Sequence, residues 1–213
     1  MHDAASVGMR STSLVLALVV GVGFSGRGDT ATLANDRYGH MHMKYEKTFL
    51  GVDVANIDVW FDEATRDDLR QIASGQRYSE QIAERMARAA LGASDVQVQV
   101  RFLRNASLGD FLDAARNNLE NARKTGYISQ ATFETAWAEV QRKFAPLGDR
   151  GFKKGDRLIY RASPGALRTT VMSRDRALAD VTTRDEGARR AMIASYFAPG
   201  SAFRKDLIKD VFE

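Results

Sequence analysis

Few residues in this chain have the type and spacing to do chemistry. His40 and His42 stand two apart, so on a strand they point the same way and could chelate a metal. No second histidine or acidic cluster accompanies them, and a solvated pair is the expected reading. The paired carboxylates Asp67-Asp68 and Asp185-Glu186 sit where helices are expected to start, and acids there offset the helix dipole. Arg101 is different. It shares one phase of a strand with Gln97 and Gln99, while Val96, Val98, Val100 and Phe102 hold the other. If helices cover both faces, a desolvated guanidinium at this position needs a carboxylate or phenolate. If the face is open, Arg101 is a solvated arginine, the commoner case. There is no glycine-rich phosphate loop, no HExxH and no nucleophile elbow. Both histidines beyond His2 lie early in the chain, which argues against a Ser-His-Asp triad.

The elements that must position these residues follow from periodicity. Val96–Phe102 alternates with period two and is a half-buried strand. The period then changes, and Phe111, Leu112, Ala115, Leu119 and Ala122 recur at helical spacing. Ser107 with Asp110 resembles a capping box with a shortened acid, and Gly126 ends the helix. Upstream, Lys44–Phe61 is β-rich. Its apolar phase slips at Ala55-Asn56, which predicts a bulge or a bend into a second strand, and Trp60 faces the side opposite Val59 and Phe61. A short helix over Asp67–Ala73 breaks at Ser74-Gly75, and Ser79 caps a second one closed by Gly92.

Further on, Ser129 caps a helix with Phe133, Trp137, Val140 and Phe144 in one stripe, read as core and ended at Pro146 and Gly148. Strands Arg157–Ala162 and Ala166–Ser173 are joined by Ser163-Pro164-Gly165-Ala166, a type II turn. Ala177–Thr182 adds a short strand. Asp185–Phe197 is a helix stopped by Pro199-Gly200, and Ser201 starts the last one, with Phe203, Leu207, Val211 and Phe212 inward. The fold class is α+β in one domain.

With 213 residues, 44% of them hydrophobic and 27% charged, the composition is that of soluble globular material with a sizeable core. Residues 1–34 stand apart. Arg10 precedes an uncharged run from Leu14 to Phe24 that is too short to span a membrane, and small residues follow. This is the pattern of a secretory signal peptide, with cleavage expected after Ala34. The protein is then periplasmic or secreted, with residues 35–213 as the mature domain and no stable membrane span after cleavage. Removing Arg10, Arg27, Asp3 and Asp29 leaves the net charge at +4. The Lys and Arg residues are spread along the chain without a block, so nucleic acid is not an expected partner. Zero Cys excludes disulfides and thiol chemistry.

Four stretches together resemble the chalcone isomerase family, particularly its bacterial exported members. They are Lys47–Val54, Val100–Phe111, Gly155–Val171 and Met192–Ser201, spanning most of residues 44–212. The resemblance implies a large antiparallel β-sheet covered by a layer of helices, with a ligand cleft between them and no cofactor. In the plant enzymes a phenolate adds to an enone within one molecule, oriented by cations and by Thr and Tyr hydroxyls. Carried over residue by residue, Thr48 matches the catalytic Thr, Arg101 a cleft Lys and Asn117 a helix Asn. Asp36 stands at the place of the catalytic Arg, with Arg37 one residue on. Asp110 or Phe111 stands where the family has its catalytic Tyr, and neither is a phenol.

Three readings follow, in this order. The first is an exported protein binding a hydrophobic small acid, a fatty acid or a phenolic, with Arg101 or Arg104 on its head group. The second is an intramolecular lyase or isomerase acting on a chalcone-like phenolic through Thr48 and an Arg. The third is a structural or interaction domain with a closed cleft.

Overall fold

Strand alternation and helical stripes take turns along this chain, and the structure follows them closely. The computed structural model describes residues 33–34, 36–47 and 52–213. Most of the expected signal segment, residues 1–32, and Thr48 lie outside the described residues. Strands β1 (His40–Lys47) and β2 (Val52–Phe61) lead into helices α1 (Glu63–Ala73) and α2 (Glu80–Gly92). Then come β3 (Val96–Phe102), α3 (Leu108–Lys124) and α4 (Gln130–Phe144), the last running into a 3-10 turn over Ala145–Arg150. Strands β4 (Arg157–Ser163), β5 (Ala166–Ser173) and β6 (Arg176–Thr183) precede α5 (Glu186–Phe197) and α6 (Arg204–Asp210). The six strands pair in sequence order, all antiparallel. The expected fold, a large antiparallel sheet under a helical layer, is the one observed.

Period-two alternation gives the sheet two unlike faces. Met41, Ile57, Val59, Val98, Leu158 and Val171 are buried on the inner face, against the helices. Cross-strand register puts Asp58, Gln99, Ile159 and Thr170 in one row on the outer face, in the phase opposite the buried residues. Trp60 is on that outer face, stacked on His40 with centroids 4.7 Å apart. The predicted slip in β2 is a bulge. Tyr45 pairs with Ala55 and Glu46 with Asp53, which leaves Val54 as the extra residue, and β2 continues as one strand.

The helix starts show where local chemistry was misread. α1 begins at Glu63, four residues before the expected Asp67, because Asp62 caps it. Buried Asp62 accepts four bonds: from Thr65 N at 2.9 Å, Thr65 Oγ1 at 3.0 Å, Ser94 N at 2.9 Å and Asp95 N at 3.0 Å. One carboxylate therefore ties the start of α1 to the loop before β3. Burial pushes this carboxyl up, but the bonds outweigh burial and hold it below its ordinary value. Such a group contributes stability above its unfolded pKa that is lost as pH falls through the lowered folded one. Asp62→Ala is expected to cost about 2–4 kcal/mol, read by chemical denaturation, with the difference shrinking in acid.

At α3, Ser107 Oγ accepts from Asp110 N at 3.0 Å as a cap should, and donates to Asp110 Oδ2 at 2.7 Å. The short acid thus meets the Ser hydroxyl, where a capping-box Glu would reach the backbone N–H. The last helix begins at Arg204, three residues after Ser201, whose Oγ accepts from Phe203 N at 3.3 Å. The β4–β5 hairpin has the expected turn, with Gly165 at φ 70°. Gly151, at φ 55°, lets the backbone pass Ala106, whose carbonyl oxygen would lie 2.5 Å from any Cβ there.

Candidate ligand-binding cavity

Helices α3, α4 and α5 cover the inner face of the sheet, and much of what they present to it is alanine. Ala115, Ala136, Ala188 and Ala191 are small side chains at helical spacing on the covering faces. Methyl groups cannot fill the layer, and a cavity of about 520 Å³ remains between helices and strands. That volume lies within the range of roughly 300–1,000 Å³ found for small-molecule sites. Ile57, Val100 and Leu167 form part of its floor, and Leu119, Val140 and Met192 part of its roof. One end is aromatic. Phe102 stacks on Phe152 at 4.2 Å, and Phe111 meets Phe144 edge-on at 4.7 Å.

Lys143 is the cation enclosed with this apolar wall. It lies on α4 with its side chain only 5% exposed, and it lines the cavity. Its Nζ is 4.0 Å from Glu139 Oε2, too long for a hydrogen bond. Glu139 is already committed, accepting from Arg142 Nη2 at 2.7 Å and from Thr183 Oγ1 at 3.1 Å. Burial lowers the Lys143 ammonium pKa below its ordinary value, and the attraction of Glu139 does not make up the difference. The bond from Arg142, more than anything else, holds Glu139 low and ionised. Lys143 is thus a desolvated cation with an incomplete partner set, a site that gains from an incoming carboxylate.

Of the residues singled out from sequence, Arg104 and Asn117 line this cavity, both solvent-exposed and so at its open edge. Arg101 does not. It is exposed on the outer face of β3, opposite Asn56 on one side and Arg157 on the other, away from the cavity. Arg37 is also elsewhere, donating from Nη2 to the Tyr38 hydroxyl at 2.7 Å and lying 4.8 Å above that ring. The place of the family's catalytic Tyr holds Asp110 and Phe111, both at the cavity. The histidines did find an acid. His40 Nε2 is 3.0 Å and His42 Nδ1 2.9 Å from the same oxygen of Asp58, on the neighbouring strand. Burial raises the Asp58 carboxyl, and the two imidazole bonds bring it below its ordinary value. No metal-holding group of His, Asp and Glu occurs among the described residues.

No family model matches this chain, and no curated protein matches it in sequence. The fold has a solved counterpart. A crystal structure of an Arabidopsis thaliana fatty-acid binding protein superposes with a TM-score of 0.50 at 13% identity, covering 87% of this chain and 92% of that one. The architecture is chalcone isomerase-like, as the resemblance implied. At that identity the likeness speaks for the fold alone.

Sequence reasoning missed Lys143, although a signal was present. Ala136, Val140 and Lys143 run at i, i+4 and i+7 beside the stripe Phe133-Trp137-Val140-Phe144, so a cation was written onto an apolar helix face. Tyr160 and Thr169 were legible in the same way, as polar residues in the inward phase of β4 and β5 between Leu158 and Ala162 and between Leu167 and Val171.

Proposed function

We propose that this protein is an exported binder of a hydrophobic small acid, held in the cavity between sheet and helices. The observation that carries this reading is one buried cation in an apolar chamber: Lys143, with about 520 Å³ of space beside it. The alkyl part of such a ligand is driven in by apolar burial, and its carboxylate completes the partner set of Lys143. Arg104 and Asn117 at the open edge supply polar contacts on the entry side. The fatty-acid binding protein of the same fold supports the choice of an acyl acid over other apolar ligands. The intramolecular lyase has less behind it, since Arg37 lies away from the cavity and Asp110 and Phe111 bring no phenol. Export follows from the apolar run at Leu14–Phe24. Because Ala34 is buried and its N–H donates to Phe61 O at 2.9 Å, we place cleavage before Leu33.

The test is native mass spectrometry of the mature protein followed by solvent extraction, and then titration with saturated acids of increasing length. One acid per chain is expected. Affinity should rise about fourfold per added methylene, from about 0.8 kcal/mol each, until the cavity is full. A clean ligand-free mass together with no dependence on chain length would remove the proposal.

A further inference from the structure

Tyr160, Thr169 and Tyr196 line the cavity, and their hydroxyls have no protein group to bond among the described residues. Thr169, on β5, is 3% exposed, and its Oγ1 is a buried atom without a hydrogen-bond partner. Tyr160 stands directly across from it on β4, in the same inward phase. Residues so paired on one face hold their Cβ atoms about 4.5–5.5 Å apart. Tyr196 comes from α5, which packs on β5, and lines the same cavity. Neither phenol oxygen makes a hydrogen bond among the described residues. Tyr196 is spanned instead by ring packing on Phe203 at 5.1 Å.

For Thr169, an unbonded, water-excluded hydroxyl costs roughly ten- to hundredfold in the folding equilibrium. Valine at 169 would keep the shape and remove that cost. Burial raises both phenols, and at Tyr196 the neighbouring Tyr160 adds to it, so both stay protonated donors at any ordinary pH. Tyr160, Thr169 and Tyr196 come from β4, β5 and α5, whereas Lys143 comes from α4. The hydroxyls and the ammonium are therefore two separate polar positions in one apolar space.

We infer that Tyr160, Thr169 and Tyr196 form a second polar subsite that takes the carbonyl oxygen of an oxygenated chain, so that the ligand is a long-chain oxo acid. This rests on the cavity being an acid-binding site. A carbonyl oxygen has two lone pairs and no hydrogen of its own, which suits a group of donors facing it. A carboxylate is drawn to Lys143, where the charge is. A bare alkyl chain would leave all three hydroxyls unbonded, and an alkyl acid is the ligand that wild type should disfavour.

The experiment is a set of dissociation constants for a saturated acid and its mid-chain keto isomers of equal length. Wild type, Thr169→Val and Tyr160→Phe are compared, both changes being close to volume-conserving. Wild type should bind one keto position at least as tightly as the saturated acid, with the preference falling away on either side of that position. Each variant should lose about tenfold for the favoured keto acid and nothing for the saturated one, while the ligand-free melting temperature of Thr169→Val rises. Keto acids bound tenfold or more weakly than the saturated acid at every position, unchanged in both variants, would overturn the subsite and leave the acid site standing. That outcome would mean water fills the polar corner. Binding of neither acid would overturn the acid site and the subsite together.

Discussion

Lys143→Met should stabilise the ligand-free protein and weaken the binding of its ligand. The two effects have the same source. Lys143 is a buried ammonium whose nearest acid is 4.0 Å away and already held by Arg142 and Thr183. Burying a charge without a full set of partners is costly, and replacing it with an apolar side chain of similar length and volume removes that cost. A gain of about 1–3 kcal/mol is expected by chemical denaturation. A charge-assisted hydrogen bond contributes about 1.5–3 kcal/mol, so loss of the ammonium should weaken a carboxylate ligand roughly 10- to 150-fold. The matching primary alcohol should bind wild type and variant alike. If Lys143→Met destabilises the protein, or leaves carboxylate affinity intact, Lys143 is a structural residue and the head group is held elsewhere.

The same lysine sets a pH dependence whose sign can be worked out. Burial holds its folded pKa below the unfolded one, near 10.4. Between the two values the unfolded chain binds more protons, so stability rises with pH across that window and is lowest below the folded pKa. A bound carboxylate favours the protonated ammonium, so affinity falls as pH rises through the ligand-free pKa of Lys143. Above that point, binding should take up a proton. Calorimetry in two buffers of different ionisation enthalpy reads this uptake directly, and it should vanish in Lys143→Met.

How much of this was legible beforehand depends on whether local or cross-strand information was needed. Alternation in Val96–Phe102 and the helical stripe from Phe111 to Ala122 are local patterns, and both elements formed where expected. The Pro164-Gly165 turn is local too. Asp62 was missed as a cap because half of its bonds are made only when Ser94 and Asp95, some thirty residues on, come alongside. Asp58 was missed as the partner of His40 and His42 for the same reason, since the register of β1 on β2 brings them together. Arg101 shows the opposite error. Its polarity was noticed, but which face the helices would cover is decided by the valines next to it, and those turn Arg101 outward. Lys143 and Thr169 were passed over because each sits in an otherwise apolar pattern that reads as core. A polar residue inside such a pattern was the better signal, and it leads to the cavity.

Ala115→Phe should weaken the binding of long-chain acids without harming the fold. Ala115 lies on the inward stripe of α3, one turn after Phe111 and one before Leu119, and it borders the cavity. In a filled core such a change overpacks and costs about 1–3 kcal/mol. Here the new ring meets about 520 Å³ of open space rather than packed side chains. A phenyl buries roughly 150–250 Å² of surface, and at about 25 cal/mol per Å² even partial burial offsets the strain of reorienting it. The melting temperature should therefore hold or rise, while affinity for a long-chain acid drops more than tenfold because ring and ligand compete for the same volume. Shorter acids should be affected less, since they leave room beside the ring. The sign of the stability change is the diagnostic. A loss of 1–3 kcal/mol with binding retained would mean that the helices close onto the sheet in solution, and the ligand would then have to lie outside the space that the alanines of α3, α4 and α5 leave open.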